Sequence, residues 1–214
     1  MHKYQFTGQS ICFAGKKLYR IIAVKDFGNV KAGTLGGFIE TEKNLSQEGD
    51  CWAFSDSKIF GNAVVKDDAR IFNEAVIRDN ASIEGNARIE DYSEIFGNAV
   101  VTDFVRVIHN ARIGGDAKVY GKFDVDAHDV EILSNKHFLV YGPADELGRF
   151  IVFYRTRKNE IAANYEWKQC DFKKMLELPE NTEFRKAAEA AMKHIELSAA
   201  KGLNRMNMFS KGDR

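Results

Sequence analysis

Proline accounts for only 2 of the 214 residues and cysteine for only 3. With so little proline and an ordinary 17 glycines, long disordered linkers are not expected. Cys12, Cys51 and Cys170 lie far apart and form no CxxC pair. That argues against a disulfide framework and against a zinc site, and it fits a reducing cytoplasm. Each cysteine reads first as a small buried apolar residue rather than as a reactive thiol. The opening Met-His-Lys-Tyr-Gln-Phe-Thr-Gly has no apolar core of signal-peptide length, and no later run approaches a membrane span. An excess of either charge is missing too, since Lys plus Arg and Asp plus Glu stand at 31 each. The neutral balance counts against extended nucleic-acid binding and gives no pull toward anionic membrane, so any basic site must be local.

What is present is a repeat. From Gly49 the chain divides into sixes without a gap: GDCWAF, SDSKIF, GNAVVK, DDARIF, NEAVIR, DNASIE, GNARIE, DYSEIF, GNAVVT, DFVRVI, HNARIG, GDAKVY, GKFDVD. The third residue is usually small, as in Ala63, Ala69, Ala75, Ala81 and Ala87. The fifth is usually β-branched, as in Ile59, Val65, Ile71, Ile77, Ile83 and Ile89. These two positions share one face of an extended strand, and the leading Gly-Asn or Asp-Asn pairs suit a tight corner with left-handed backbone. Period six does not align such residues on a helix of 3.6 residues per turn. A short strand and a corner, repeated, bury their apolar face only by coiling. Three sides close a triangular prism whose stacked Ile and Val form the core.

The pattern resembles the hexapeptide-repeat family, in which an aliphatic residue is followed four positions later by a small one, as Ile59 by Ala63, Ile77 by Ala81 and Ile95 by Ala99. Glycine departs from that pattern, standing two residues after the aliphatic in Ile59-Phe60-Gly61. The resemblance implies a mainly β chain built on a left-handed parallel β-helix with three hexapeptides per coil. The GNA-x-V repeats, the entry segment AVKDFGNVKAGTLGGFIETEKNLSQEGDCW and the later FYRTRKNEIAANYEWKQCDFKKM are similar to phage and prophage hexapeptide-repeat proteins of unassigned function.

The expected organisation is an N-terminal β cap over 1–48, the β-helix over 49–132, and a C-terminal α+β region over 133–214 with two strands and two helices. The caps answer a physical need, because a coil of parallel strands exposes open edges at its ends. Tyr4 to Phe6 and Leu18 to Val24 read as strands of the first cap, with an off-frame turn from Gly33 to Ile39. Phe138 to Tyr141 and Arg149 to Tyr154 read as the later strands. Asp171 can cap a short helix through Leu178, and Asn181 or Thr182 can start a second. That second helix carries Phe184, Ala188, Ala191, Met192 and Ile195 on its packing side, while Phe123 is expected to plug the prism.

Residues eighteen apart stack on one side, roughly 4.8 Å apart. One outward column is therefore Trp52, Arg70, Arg88, Arg106 and Asp124, and its neighbour is Phe54, Phe72, Glu90 and Ile108. Stacked guanidiniums repel by roughly 0.9 kcal/mol per neighbouring pair in water, so compensation is required. Either acids such as Asp67, Asp68 and Glu90 pair with them internally, or Arg70, Arg88 and Arg106 with Trp52, Phe54 and Phe72 bind a phosphate, a carboxylate or an acidic partner. Phe60 and Phe96 with Arg78 form a second strip, equally suited to contact between copies of the chain. Asn62, Asn80, Asn98 and Asp116 line a corner, where hydrogen bonding explains them.

The family resemblance also implies acyltransferase chemistry, with trimers, acyl-CoA bound between coils and a loop-borne histidine as general base. His109 is the one histidine in the regular frame, and it occupies a corner where other copies have Gly, Ser, Asn or Asp. The frame has no inserted loop to complete such a pocket. His109, His128 and His137 lack the close spacing of a shared metal site, so no metal and no resident cofactor are expected. The glycines of GTLGGF precede no Lys-Ser/Thr and make no phosphate loop. The leading reading is a non-enzymatic binding or scaffold protein of phage or prophage type in the host cytoplasm, acting on a host protein through the prism faces or assembling with itself. The alternatives are an acyl-CoA-dependent acyltransferase and a nucleotide or nucleic-acid binder using the arginine column.

Overall fold

Antiparallel pairing gives way to parallel coiling within the first 60 residues of the chain. In the computed structural model, which describes residues 2–126, 129–147, 149–165 and 168–197, strands Tyr4–Phe13 and Lys16–Ala23 form a hairpin. Strand Leu35–Ile39 pairs antiparallel with Lys16–Ala23 on one edge and parallel with Lys58–Ile59 on the other. Gly36 and Gly37 permit this junction. A Cβ at Gly36 would lie 2.6 Å from the Ile21 side chain, and one at Gly37 would lie 2.5 Å from Ser57 Oγ.

Beyond the junction the chain winds into a three-sided β-solenoid of about five turns. The first face stacks Lys58–Ile59, Val76–Ile77, Glu94–Ile95, Arg112–Ile113 and Glu131–Ile132. The second stacks Trp52–Ala53, Arg70–Ile71, Arg88–Ile89, Arg106–Ile108 and Asp124–Asp126. The third stacks Val64–Val65, Ser82–Ile83, Val100–Val101 and Lys118–Val119. Arg70 pairs with Arg88 and Arg88 with Arg106, which is the eighteen-residue register that the repeat predicts.

Both inward columns are buried, including Ala63, Ala75, Ala87, Ile71, Ile83, Ile89 and Ile95. Each buried Ile stabilises by roughly 1.5–3 kcal/mol, so the prism supplies its own core along its length. Corner residues take left-handed backbone: Asp67, Asp79, Asp91 and Asp103 have φ of 57°, 61°, 58° and 61°. Each of these carboxylates also accepts a backbone N–H from the corner one coil on, Asp67 from Gly85 at 3.0 Å and Asp79 from Gly97 at 3.1 Å. The Asn62, Asn80, Asn98 and Asp116 side chains are linked in a ladder of hydrogen bonds at 3.0, 3.0 and 2.9 Å.

The far end is closed by an antiparallel sheet of Phe138–Tyr141, Ile151–Arg155, Ile161–Tyr165 and Lys168–Cys170. This sheet has two more strands than expected. Asn159, at φ 62°, reverses the chain after Arg155 and returns it as Ile161–Tyr165. Helices Phe172–Glu177 and Glu183–His194 follow, capped by Asp171 and Thr182. Ala187, Ala188, Ala191 and Ile195 bury the second helix, whereas Met192 is exposed rather than packed. Phe123 is half-buried against Phe138, with ring centroids 6.4 Å apart. Among the described residues no helix is long and apolar enough to cross a membrane.

Candidate functional site

The second face carries the arginine column, and its side chains are matched internally. Glu90, largely buried, sits between Arg88 and Arg106. It accepts from Arg88 Nε at 3.0 Å and from Arg106 Nε and Nη2 at 3.0 and 2.8 Å. The two-pronged bond suits the planar guanidinium, and it holds Arg106 above its ordinary pKa. Arg70 donates to Asn29 Oδ1 at 2.5 Å, a partner supplied by the N-terminal cap. Of the acids expected to neutralise the column, only Glu90 does so; Asp67 and Asp68 accept backbone N–H groups from Gly85 and Asp50 instead.

Of the aromatic residues expected beside the arginines, Phe54 and Phe72 stack face to face, with centroids 4.6 Å apart and planes 4° from parallel. The Arg88 guanidinium lies 4.9 Å from the Phe72 centroid. Trp52 is in register with Arg70 but is fully buried, which corrects its placement on the binding surface. Its column faces outward, yet Tyr4 and Phe27 of the cap fold over it at 6.1 and 5.4 Å.

At the far end of this face Asp124 is nearly buried, and its Oδ2 has no hydrogen-bond partner among the described residues. Arg106 Nη1 approaches it only to 3.7 Å. Burial pushes the Asp124 carboxyl up to about 6, with Arg106 opposing.

Two residues beyond Asp124, at Asp126, lies the second constellation. His109 occupies the corner between the second and first faces, at φ 64°, a conformation that histidine tolerates better than most side chains. Its backbone N–H donates to Asp91 Oδ2 at 3.2 Å, and its carbonyl accepts from the Tyr92 N–H at 2.9 Å. Its Nδ1 stands 2.9 Å from Asp126 Oδ1, a close charge-pair approach that is not aligned as a hydrogen bond. The cap sheet fixes that aspartate in turn, for the Asp126 carbonyl accepts from Tyr154 Oη at 3.3 Å and Asn164 Nδ2 at 2.6 Å. Arg157 donates to the carbonyl of the next residue, Asn110. Tyr92, 66% exposed, projects from the same corner one coil back. An imidazole with a carboxylate beside one nitrogen can, in general, exchange a proton through the other.

Asp126 was not among the expected site residues. It sits seventeen positions after His109, one short of a full coil, and that offset is the sequence signal that places the two side by side. His137 is not brought to this corner. Its Nδ1 accepts from the Leu133 N–H at 3.0 Å, and burial, with Arg155 nearby, lowers its pKa. His128, the third histidine considered for a metal, lies outside the described residues. Among the described residues no group of three or more His, Cys, Asp or Glu is arranged to hold a metal ion.

No family model matches the chain. A stretch of 74 residues is 42% identical to an uncharacterized acetyltransferase, YdcK, of Escherichia coli strain K12, covering 30% of this chain and 23% of that protein. The match thus spans under a quarter of that relative's length. Repeat, register and this partial likeness agree on a hexapeptide-repeat β-helix.

Proposed function

We propose that the chain transfers an acyl group from an acyl-coenzyme A donor, with His109 as the general base and Asp126 as its positioning residue. The observation that carries this reading is the 2.9 Å approach of His109 Nδ1 to Asp126 Oδ1 on an outward corner. The partial likeness to a protein described as an acetyltransferase supports it and moves it ahead of the binding-protein reading. In the proposed step the imidazole takes the proton from a hydroxyl or amine acceptor as that group attacks the thioester carbonyl. The coenzyme A thiol then leaves. Asp126 keeps the ring turned and stabilises the imidazolium while the proton is held.

The experiment is release of free coenzyme A from acetyl-coenzyme A in the presence of a panel of amine and hydroxyl acceptors. His109→Ala is expected to lower kcat/KM by roughly 10²- to 10⁴-fold with donor binding retained. Asp126→Asn is expected to cost less and to displace the pH–rate profile. Calorimetry showing no binding of acetyl-coenzyme A would overturn the reading.

A second reading is a non-enzymatic binding or scaffold protein of phage or prophage type, acting in the host cytoplasm through the prism's outer surface. One observation favours it: Tyr92, Phe104 and Tyr120 are large aromatic side chains exposed on the repeat. On this reading Arg88 and Arg106, about half and two-fifths exposed, contribute with Phe72 through the parts of their guanidiniums that Glu90 does not engage. The pairing of Arg88 and Arg106 with Glu90 weakens the nucleotide-binding alternative, since a phosphate would have to compete with a carboxylate already in place.

A further inference from the structure

A buried amine meets a buried thiol where the N-terminal cap closes the prism. Lys3 is 1% exposed, and its Nζ lies 3.2 Å from Cys51 Sγ. Its other hydrogen-bond partners are backbone carbonyls, those of Cys51 at 2.9 Å, Gly49 at 3.2 Å and Glu48 at 3.3 Å. The Phe27 ring covers it, with the centroid 5.1 Å away. Among the described residues no carboxylate pairs with Lys3, so its charge is buried without a counter-ion, an expensive arrangement for mere packing. Cys51 heads the inward small column, a position filled by Ser or Ala through the next several copies. Sulfur therefore stands in this column only where an amine reaches it.

We infer that Lys3 and Cys51 form a redox-sensitive covalent link, an S–N bond made when peroxide oxidises the thiol. The chemistry balances in two steps. Hydrogen peroxide takes the Cys51 thiol to the sulfenic acid, its O–O bond breaking, sulfur losing two electrons and one water leaving. Lys3 Nζ then attacks that sulfur, the S–O bond breaks and the S–N bond forms. The departing hydroxyl leaves as water with one ammonium proton, and a second proton goes to solvent. A thiol reductant reverses the link by giving two electrons back to sulfur and restoring amine and thiol. At rest, burial holds the Cys51 thiol above its ordinary pKa while Lys3 pulls it down, so the pair is quiet until an oxidant small enough to enter arrives. Once formed, the link would tie the first strand of the cap to the first coil, across 48 residues of chain.

The test is peptide mapping of the full chain after graded hydrogen peroxide, with remaining thiols blocked. The expected result is loss of cleavage after Lys3 by trypsin, together with a species joining residues 1–16 to residues 44–58, lighter by two hydrogens than the separate peptides. Dithiothreitol should return both peptides, and thermal unfolding should shift upward in the linked form. Lys3→Arg keeps the charge and should abolish the link; if that variant does not fold, the wild-type map still decides. Cys51 recovered as a thiol, as a sulfinic or sulfonic acid, or in a disulfide with the exposed Cys12, with cleavage after Lys3 intact, would overturn the inference.

Discussion

Two faces of the prism meet the same electrostatic problem with the same device, and they finish it differently. On the second face Glu90 lies between Arg88 and Arg106, with Phe72 beneath Arg88. On the first face Glu94 lies between Arg78 and Arg112 at 2.8 and 2.9 Å, and both guanidiniums sit over Phe96 at 4.6 and 5.0 Å. Gly114 makes room for that ring, since a Cβ there would enter it. The first face then ends in Glu131, which Arg112 approaches to 3.7 Å and Arg155 of the cap sheet binds at 3.1 Å. The second face ends in Asp124, whose buried Oδ2 has no hydrogen-bond partner among the described residues. A repeat thus reproduces a charge pattern faithfully along its length, and its end is where a leftover charge accumulates. The proposed catalytic pair lies beside that leftover.

The largest effect should come from the interior that both faces share. Ile89→Asp and Ile95→Asp, one behind each glutamate, should each destabilise by about 3–5 kcal/mol through an unpaired buried charge, measured by denaturant unfolding. A large inequality between them would break the equivalence of the faces. Next, Glu90→Ala should cost about 2–3 kcal/mol and Glu94→Ala about 1 kcal/mol, because the first carboxylate is the more buried of the two. Equal costs would mean that burial does not separate the two devices.

The remaining effect, also small, is the one that distinguishes the ends. Burial raises the folded pKa of Asp124 to about 6, above its unfolded value, so the group opposes folding at neutral pH. That cost is fully present above about pH 6 and disappears as pH falls toward the unfolded value near 4. Asp124→Asn should therefore be more stable than the parent by about 1–2 kcal/mol at pH 7.5, allowing for partial exposure, and should match it at pH 4. Melting curves of both proteins across that range check the sign; a gap that widened toward acid would refute it.

The prism was legible because period six admits one way of burying two columns at once, and the residues themselves name those columns. The outward register followed from the same arithmetic, which is why Arg70, Arg88 and Arg106 stack as read. What the repeat could not convey is what another segment lays over it. Trp52 keeps its place in the column and loses its exposure to Tyr4 and Phe27, which belong to no repeat. Asp126 was readable in principle, being a coil less one residue from His109, but only its carbonyl bonds to Tyr154 and Asn164 show it held in place. The strand Ile161–Tyr165 went unread because Ala162 and Ala163 interrupt the alternation of bulky apolar and polar side chains that marks a strand.

The corner bonds carry a consequence for how this chain can change length. The corner carboxylates Asp67, Asp79, Asp91 and Asp103 each reach the N–H eighteen residues on, as Asp91 does His109, so the molecule counts in whole coils. Loss of a single hexapeptide before His109 would leave that local bond pattern intact yet turn all that precedes it by a third of a revolution, parting the N-terminal cap from its seat. Removing eighteen residues, 67–84 for instance, would shorten the rod by one layer and return each edge to its own continuation. The prism is in this sense a ruler with one permitted graduation, along which its length can be revised while the corner that holds His109 and Asp126 stays as it is.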